Sequence, residues 1–488
     1  MKPIGVTRVA IVGGGVAGLA AGVELARRGC DVRLYEARDV VGGCASTTDV
    51  DGFRFNDGAL FVALPRLLDH AFARLGLDRA ARVPLLPIAV PQASWLPDGT
   101  RVTLGARGAA FVDGAQGAER SAVLQAEIAR CVGKWRPLLR IFVDDLLIRP
   151  LSLPHFLAKT WRHLPKLRGT LAAELARDFS DPDARAALAA VTLYTGLPAE
   201  CTPVAQIVGL IALLDDGLYL PEGGMGAIPR ALAGAFAAHG GQVRTGAAVA
   251  RIRVAGGRVR GLTLASGEQI DADAVVSTAS GMATFARLVE AADAPRAMLR
   301  RVARAPLSHR ALGIQLGLRN RIEPVAYSVN HLPSAGDQRA MLSPQPDGVR
   351  WLNYTVPTVT LPGLAPPGGS IVEMFAAVDA RTPLDAWTDA AKTAAAQPWI
   401  DALARRHRLD IATLRVTGPK DHAERLGLYE GALYGLSPAA RPDQQFPHVT
   451  PIDGLYLAGQ TTYPGFGVTT SMLSGVFAAD ALASRALR

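Results

Sequence analysis

Residues 8–18 read Arg-Val-Ala-Ile-Val-Gly-Gly-Gly-Val-Ala-Gly, and this stretch decides the fold. Its first five residues have the β-branched and apolar side chains typical of a strand buried in a parallel sheet. The turn that follows has the spacing Gly-x-Gly-x-x-Gly, at Gly13, Gly15 and Gly18. A helix-compatible run continues from Leu19 to Arg28, and a second strand-like run covers Asp31 to Tyr35. The pattern predicts a Rossmann-type unit that binds a dinucleotide.

The three glycines have different mechanical purposes. Gly13 permits the tight turn, Gly15 lets the backbone approach a pyrophosphate, and Gly18 lets the helix pack closely on the strand. Free N–H groups and the positive dipole end of this helix, at Val16 and Ala17, would then face the phosphates.

An acid ends the second strand. Glu36 lies eighteen residues after Gly18 and is placed, with Ala37 beside it, to bind the ribose hydroxyls. A carboxylate there repels a 2′-phosphate, so NADP is disfavoured. A second glycine pair, Gly42 and Gly43, follows at once. Such a pair suits an extended cofactor that runs past the pyrophosphate, so FAD is favoured over NAD.

A second glycine-rich loop lies near the C-terminus. A strand-like run at 454–458 leads into Gly459, and the loop 465–468 reads Gly-Phe-Gly-Val before a predicted helix at 470–487. Because the glycines of that loop carry no side chains, its backbone could lie flat against a ring system. The helix dipole would stabilise the negative charge of a reduced flavin. We therefore expect the flavin end to contact this loop at Gly467 and Val468.

The composition fits a large globular protein. The 488 residues are 49% hydrophobic and 19% charged, which excludes a disordered chain and a disulfide-stapled scaffold. The four cysteines lie far apart and no Cys/His spacing suits zinc, so we expect a reducing cytoplasm and no metal site. No apolar stretch approaches the roughly 18 residues that a membrane-spanning helix needs.

The secondary-structure pattern changes along the chain. Ala/Leu-rich runs predict helices at 121–140 and 170–190, which makes residues 101–200 a helical insertion. Strand-like patterns return at 249–264, 270–278, 313–318 and 370–375, and a helix is predicted at 386–407.

Four separated segments carry a family resemblance. They are the N-terminal unit 9–19, Glu36 with Gly42 and Gly43, the run Tyr219-Leu-Pro-Glu-Gly-Gly-Met-Gly-Ala-Ile-Pro229, and the run Tyr456-Leu-Ala-Gly-Gln-Thr-Thr-Tyr-Pro-Gly-Phe-Gly-Val468. In content and order they resemble the phytoene desaturase and carotenoid isomerase family of FAD proteins. One departure is Cys44, because the desaturases commonly have Arg after the second glycine pair. Cys44 is interpreted as a buried packing residue, with a flavin-linked or redox thiol as the alternative.

The resemblance implies an α/β fold with two parts. A bipartite, Rossmann-type and glutathione-reductase-like FAD-binding domain is expected to carry an inserted α+β substrate domain. The expected ranges are 1–100, 201–305 and 436–488 for the FAD-binding domain, 101–200 for a helical substrate insertion facing a membrane, and 306–435 for the substrate domain. The resemblance also implies that Val249 contacts the adenine end through its backbone and that Gly459 lies beside the flavin end.

The same resemblance implies an FAD-dependent oxidoreductase that desaturates a long isoprenoid or carotenoid-like hydrocarbon. Desaturation removes a hydride and a proton from adjacent carbons, and FAD N5 can take the hydride. The surrounding site should be apolar, and no catalytic residue is identified. Three histidines stay unplaced, namely His309, His331 and His422. The run 223–229 lacks the third glycine of a Gly-x-Gly-x-x-Gly motif and follows no βαβ pattern, so a quinone or oxygen is the expected electron acceptor.

Other functions stay open beside desaturation. A redox-neutral carotenoid isomerase or hydratase would use reduced FAD without net turnover. A flavin amine oxidase shares the N-terminal unit, but its usual C-terminal motif contains Trp, and no Trp follows Trp399. A non-enzymatic FAD-binding protein is a further alternative.

The net charge of +9 has a local source. Residues 134–168 hold eight basic side chains against Asp144 and Asp145, interleaved with Trp135, Phe142, Phe156 and Trp161. An apolar and aromatic stretch of this kind suits an anionic lipid surface better than nucleic acid, with an ordinary solvated helical face as the alternative. We expect a cytoplasmic protein, peripheral on the cytoplasmic membrane, with no nucleic-acid partner.

Overall fold

The computed structural model describes residues 7–333, 341–342 and 349–486. The strands of this part are β1 Arg8–Val12, β2 Asp31–Tyr35, β3 Thr47–Val50, β4 Phe53–Asn56, β5 Leu85–Pro87, β6 Gln92–Trp95, β7 Arg101–Leu104, β8 Ala110–Asp113, β9 Tyr219–Pro221, β10 Gln242–Arg244, β11 Val249–Ala255, β12 Arg258–Leu264, β13 Gln269–Asp271, β14 Ala274–Ser277, β15 Arg310–Leu318, β16 Ser328–His331, β17 Leu352–Thr355, β18 Ser370–Val378, β19 Ile411–Thr417 and β20 Leu455–Leu457.

The helices of the described residues range from single turns to long rods. They are α1 Val16–Arg27, α2 Pro65–Arg74, α3 Arg79–Arg82, α4 Gly117–Ile141, α5 Leu153–Thr160, α6 Leu171–Asp178, α7 Pro182–Leu193, α8 Ile207–Asp216, α9 Ala227–Ala238, α10 Gly281–Ala283, α11 Arg296–Ala303, α12 Asp389–Ala404, α13 Pro419–Arg425 and α14 Val468–Ala486. None of these helices is long and apolar enough to cross a membrane.

A five-stranded parallel sheet forms the centre of the cofactor domain. Its order is β10-β2-β1-β14-β20, so strands from three distant parts of the sequence lie side by side. The strands predicted at 8–12 and 31–35 are confirmed. The central strands carry apolar side chains such as Ile11 and Val275, both at 0% exposure. Helices α1 and α14 cover one face, and the three-stranded sheet β11-β12-β13 packs on the other. The predicted Rossmann-type, α/β arrangement is confirmed.

Helices α1 and α14 pack unusually closely on this sheet. A Cβ at Gly475 would lie 2.1 Å from the Ala17 carbonyl oxygen, so only glycine allows the two backbones to approach. A Cβ at Gly18 would likewise lie 2.1 Å from the carbonyl oxygen of Gly13. The two helix N-termini therefore lie at the same edge of the sheet.

An eight-stranded mixed sheet forms the second layer, in the order β19-β15-β18-β17-β16-β6-β7-β8. One face carries an apolar core that α12 covers, with side chains such as Leu312, Ile314 and Val372. The domain boundaries stay predictions, but this sheet takes strands from both sides of residue 100, and β6 pairs with β7 across that position. Residues 101–200 accordingly contain β7 and β8 as well as helices α4 to α7.

Two of the predicted elements are divided. The helix predicted at 170–190 is broken into α6 and α7, because the Asp181 side chain accepts backbone hydrogen bonds and caps a new helix that begins at Pro182. The single strand predicted at 270–278 is wrong, since β13 and β14 belong to different sheets. Asp273 ends the first of them by binding the backbone N–H and guanidinium of Arg8.

Candidate cofactor site and adjoining aromatic cluster

The turn after β1 leaves a cradle of glycine backbone. Gly13 has φ +97°, and a Cβ there would lie 2.5 Å from Thr278 Oγ1. Gly15 has φ −69°, which any residue adopts, yet no protein atom lies within 4 Å of the Cβ it lacks. This open space lies directly before the N–H groups of Val16 and Ala17 at the start of α1. The cradle therefore has the room and the positive dipole that a pyrophosphate requires.

Glu36 is held in place over this turn. Its carboxylate accepts hydrogen bonds from the backbone N–H of Gly14 at 2.6 Å and of Arg38 at 2.9 Å, and the residue is 8% exposed. Ala37 beside it is exposed. The fixed carboxylate can still accept hydrogen bonds from ribose hydroxyls, as the sequence predicts.

The segment before β11 runs along Glu36. Gly246 N–H donates to the Arg38 carbonyl and Ala247 N–H donates to the Glu36 carbonyl, each at 2.8 Å. Val249 is therefore two residues beyond a direct backbone contact with the ribose position. This placement fits the adenine contact that the resemblance implies.

The second glycine pair closes onto the first turn. Gly42 N–H donates to the Gly14 carbonyl at 2.8 Å, and a Cβ at Gly43 would lie 3.3 Å from the Gly15 Cα. Both glycines have positive φ, +125° and +55°. The two glycine clusters thus form one continuous backbone surface.

The C-terminal loop meets the same surface. Gly459 follows β20 with φ +106°, and a Cβ there would approach the Ala17 side chain to 3.9 Å. Gly467, with φ +110°, directly precedes Val468 at the start of α14. The thirteen predicted site residues therefore lie along one edge of the parallel sheet, from Glu36 and the nearby Val249 at the end of β2, past the N-terminus of α1, to the N-terminus of α14. Their span suits FAD, which carries a phosphate group and a ring system at separate points.

A buried ion network joins this site to the large sheet, and sequence reasoning missed it. The Asp57 side chain, 1% exposed, pairs with Arg38 at 3.1 Å and with Arg415 at 2.6 Å. Burial opposes ionisation of Asp57, but the Ser46 hydroxyl and the Arg415 charge outweigh it and hold the pKa below its ordinary value. Arg415 is 358 residues away in sequence, so no local pattern predicts this pair.

Glu373 on β18 is a buried carboxyl next to that network. One carboxylate oxygen accepts from the Asn56 N–H and the Gln315 side-chain amide, each at 3.1 Å. The other oxygen has no hydrogen-bond partner among the described residues. Burial raises the pKa of Glu373 to about 7, so the residue loses its proton near neutral pH.

We expect Glu373 to make stability depend on pH. The pKa of Glu373 in the folded protein lies above the ordinary 4.5. The stability contributed by the protonated carboxyl is therefore fully present below pH 4.5 and is lost as the pH rises through about 7. This group should make the free energy of unfolding about 3 kcal/mol lower at high pH than at low pH. Glu373→Gln should therefore unfold at a higher temperature than the wild type at pH 8, by more than it does at pH 5. Thermal unfolding of both holoproteins checks this; an identical offset at the two pH values would contradict it.

Beside the C-terminal loop lies an aromatic cluster that sequence reasoning also missed. Its members are Tyr194, His309, Trp351, Phe375, Tyr434 and Phe466. Phe466 lies between Gly465 and Gly467, and its ring centre is 4.8 Å from that of Tyr434. His309 lies 5.7 Å from Tyr434 and 5.3 Å from Phe375 on the large sheet. The cluster thus connects the predicted flavin loop with the large sheet.

The hydroxyl groups of the cluster are bound to protein, which leaves the rings as its contact surface. Tyr434 Oη donates to the Tyr194 carbonyl, and Tyr194 Oη bonds to the Ser328 hydroxyl, each at 2.8 Å. Burial raises the pKa of both tyrosines to about 12. Both side chains nevertheless keep some accessible surface.

Of the three unplaced histidines, His309 alone lies in the cluster. Burial lowers its pKa to about 4, against a smaller opposing effect of the Thr195 backbone, so the ring is neutral at physiological pH. His331 stacks on Trp95, and His422 bonds to Thr417, both away from the cluster. Within the described residues no group of three or more His, Cys, Asp or Glu side chains is placed to hold a metal ion.

The surroundings of Cys44 and of the middle glycine run, residues 223–229, indicate a structural role for both. Burial raises the pKa of the Cys44 thiol to about 11, so the thiolate needed for redox chemistry is disfavoured. In the middle run, Met225 N–H donates to the Asn56 side chain and Gly226 N–H to the Thr47 hydroxyl. These backbone donors are engaged by protein rather than open to a phosphate.

The basic stretch divides into a buried and an exposed part. Trp135 is 1% exposed, and Phe142 packs against Phe156 at 6.3 Å. Beyond them, residues 151–168, which we call the foot, expose the apolar side chains of Leu151, Leu153, Leu157, Trp161 and Leu164. The foot also carries Lys159, Arg162, Lys166 and Arg168 and holds no acidic residue. The guanidinium of Arg162 lies 5.0 Å from the centre of the Trp161 ring system.

Known proteins match the chain over nearly its full length. A family described as flavin containing amine oxidoreductase matches residues 16–483. A zeta-carotene-forming phytoene desaturase of Myxococcus xanthus is 28% identical, over 96% of this chain and 92% of that protein. A lycopene-forming phytoene desaturase of Pseudescherichia vulneris is 27% identical, over 94% and 96% of the two chains. A chloroplastic prolycopene isomerase of Daucus carota is 25% identical, over 97% of this chain and 79% of that protein.

Solved structures share the fold at lower identity. An oxidoreductase from Methanosarcina mazei superposes with a TM-score of 0.64 at 17% identity, covering 96% of this chain and 99% of that one. A putrescine oxidase bound to putrescine has a TM-score of 0.60 at 16% identity, covering 98% and 99%. These likenesses concern the fold alone.

Proposed function

The chain belongs to the flavin containing amine oxidoreductase family, and from this premise we propose that it desaturates a long isoprenoid or carotenoid-like hydrocarbon. It is an FAD-dependent oxidoreductase that acts on CH–CH bonds. The observation that carries the substrate proposal is the aromatic cluster beside the 465–467 loop, whose members are neutral at physiological pH. An uncharged, ring-lined site suits a polyene. The full-length relatives named as desaturases support the same reading.

We assign FAD to the glycine surface described above. The open cradle at Gly15, the fixed Glu36 carboxylate and the loop at Gly459 support this assignment. The proposed contacts are Gly13, Gly15, Val16, Ala17, Gly18, Glu36, Ala37, Gly42, Gly43, Val249, Gly459, Gly467 and Val468. When bound, FAD supplies the hydride acceptor.

The residues of the cluster position the substrate and stabilise charge. Loss of a hydride from a hydrocarbon leaves positive charge on the chain, and the faces of Tyr434 and Phe466 would stabilise it as aromatic rings stabilise cations. The neighbouring carbon then releases a proton, which completes the double bond, and the neutral ring of His309, whose nitrogens have no hydrogen-bond partner among the described residues, can accept it. Exclusion of water by the rings of Trp351 and Phe375 protects the charged intermediate from hydration.

Electrons leave the reduced enzyme to a quinone or to oxygen. The engaged backbone donors of Met225 and Gly226 argue against a nicotinamide dinucleotide at the middle glycine run. Rapid reduction of the flavin by NADH or NADPH would contradict this part of the proposal.

Anaerobic mixing with candidate substrates tests the function. A polyene should bleach the flavin absorbance of the holoenzyme if the reaction is a desaturation. Formation of a polyene isomer while the flavin absorbance is unchanged would favour the isomerase or hydratase alternative. Bleaching by amines and by no polyene would assign the protein to the amine oxidases instead.

We further propose that the foot docks on an anionic membrane, which would make the protein peripheral on the cytoplasmic membrane. Exposed leucines and Trp161 can enter the headgroup region while the adjacent cations bind lipid phosphates. Arg162, Lys166 and Arg168 have no ion-pair partner among the described residues, so their charges are available to lipid.

Removal of these charges should release the protein from vesicles. Changing Arg162, Lys166 and Arg168 together to alanine removes about 1 kcal/mol per charge, or about 100-fold in partitioning onto phosphatidylglycerol vesicles. Flotation measures this change. A matched variant loses three exposed arginines elsewhere, Arg82, Arg304 and Arg408, and should float like the wild type. Equal flotation of both triple variants would contradict docking through the foot.

A further inference from the structure

One carboxylate holds the foot to the rest of the molecule. Asp145 lies in a π-helical turn, Phe142–Leu146, at the end of α4. Three side chains converge on it, with Arg149 at 2.9 Å, His155 at 3.1 Å and Lys159 at 3.0 Å. The Asp145 side chain is 17% exposed, whereas those of Arg149 and Lys159 are 62% and 48% exposed. We call these four residues the Asp145 clamp.

The clamp stabilises the ionised carboxylate. Partial burial opposes ionisation of Asp145, but hydrogen bonds from Lys159 and His155 outweigh it and hold its pKa below the ordinary value. The carboxylate is thus charged and depends on these partners. Removing them would leave a partly buried charge without compensation, which is unfavourable.

The residue after Asp145 contacts the flavin loop. The Leu146 carbonyl accepts a hydrogen bond of 2.6 Å from Tyr463 Oη, across 317 residues of sequence. Tyr463 lies between Gly459 and Gly467, and its ring stacks on Phe477 of α14 at 6.3 Å. Burial, together with the nearby Asp145 charge, raises the pKa of Tyr463 to about 12. The ion pairs at Asp145, the peptide bond to Leu146 and the hydrogen bond to Tyr463 therefore join the cations of the clamp to the loop at the flavin end.

Lipid phosphates compete for the same cations. Arg149 and Lys159 are exposed and lie within a few residues of Leu153 and Leu157 in the sequence, so the phosphates of an anionic bilayer bound to the foot would compete with Asp145 for them. A π-helical turn is a single-turn irregularity that can rearrange within a helix, and such turns are frequent at functional sites. The turn can therefore move to hydrate Asp145 once its partners leave.

We propose that an anionic membrane surface bound to the foot opens the Asp145 clamp and thereby loosens the hold of the Tyr463 loop on FAD. This inference rests on the membrane docking proposed above and adds a regulation to it. No covalent step is involved. Linkage requires that FAD binding in turn weakens lipid binding by the same factor.

The test measures FAD release from the full-length holoenzyme. On dilution, freed FAD becomes fluorescent, and its rate of release should be at least fivefold higher with phosphatidylglycerol vesicles than with phosphatidylcholine vesicles. Asp145→Asn should mimic the open clamp: FAD leaves faster without vesicles, phosphatidylglycerol has no further effect, and the variant floats more tightly. Tighter vesicle binding alone would reflect the lost negative charge, so the diagnostic result is the faster FAD release together with its insensitivity to phosphatidylglycerol.

Two other variants separate the clamp from its surroundings. Asp144→Asn is the matched control for charge, because Asp144 pairs at the surface with Arg66 at 2.8 Å outside the clamp. It should gain the same one-charge effect in flotation as Asp145→Asn, while its FAD release equals that of the wild type. Tyr463→Phe should bind vesicles normally, while its FAD release no longer differs between the two lipids. If the wild type binds phosphatidylglycerol vesicles and FAD release stays unchanged, the coupling is wrong and docking stands. If the vesicles do not bind, or the foot instead forms a dimer, docking and coupling both fail.

Discussion

Gly15→Val should fold and yet lose its FAD. The backbone at Gly15 has φ −69° and ψ 174°, which valine adopts readily, and no protein atom lies within 4 Å of the added Cβ. The new side chain would occupy the space that we assign to the pyrophosphate. Overpacking of a well-fitted site costs up to about 3 kcal/mol, which corresponds to roughly 100-fold in affinity. The measurement is the FAD content of the purified protein and its FAD dissociation constant.

The matched control is Gly133→Val. Gly133 is exposed on α4, and no atom lies within 4 Å of its missing Cβ either. This variant should retain FAD fully, since it places the same side chain in open solvent. Full FAD occupancy in both variants would show that the cofactor does not pass over Gly15.

Tyr434→Ala should slow reduction of the flavin by substrate about 30-fold. The expectation follows from about 2 kcal/mol for a desolvated contact between a cation and an aromatic ring. The ring of Tyr434 lies next to Phe466 in the flavin loop. Its hydroxyl donates a hydrogen bond to the Tyr194 carbonyl, so the ring is the part that can contact the substrate. Anaerobic stopped-flow measurement with saturating polyene gives the rate, and FAD content confirms that the cofactor is still bound.

Tyr434→Phe distinguishes the ring from the hydroxyl. It keeps the aromatic face and loses only the bond to Tyr194, so its rate should stay within about threefold of the wild type, as expected for one lost neutral hydrogen bond. A phenylalanine variant as slow as the alanine variant would shift the role to the hydroxyl. An alanine variant as fast as the wild type would remove the cluster from the reaction.

The glycine turns and helix starts of the candidate cofactor site could be predicted because their conformational requirements are local in sequence. Gly13, Gly15 and Gly18 lie within six positions, and Glu36 and Gly42 follow within the same βαβ unit. Each residue type has a conformational or charge requirement that few alternatives satisfy. The C-terminal loop and the start of the helix after it could be predicted for the same reason, since the glycines of the loop directly precede that helix.

The aromatic cluster, the Asp57 ion network and the Asp145 clamp could not be predicted from the sequence. Tyr434 meets Tyr194 across 240 residues, and Arg415 meets Asp57 across 358. Aromatic and charged residues are common in loops and strands, so position alone does not distinguish these from others. The pairing of β6 with β16, which joins residues 92–95 to the part of the large sheet formed by residues after 306, depends on the same long-range folding.

The two divided elements had weak local signals. Asp181-Pro182 is a helix start, yet the surrounding Ala-rich sequence favours one continuous helix. Residues 270–278 alternate as a single strand would, and only the pairing of Asp273 with Arg8 shows where β13 ends and β14 begins. In both places a tertiary or capping contact outweighed the periodicity.

The central claim is that this chain removes a hydride and a proton from adjacent carbons of a polyene. Anaerobic single-turnover incubation of the holoenzyme with a phytoene-like polyene, followed by mass analysis and flavin absorbance, tests it most directly. We predict one molecule of product, lighter by two hydrogens, for each flavin reduced. A product of unchanged mass with the flavin still oxidised, or flavin reduction without a lighter product, would contradict the account.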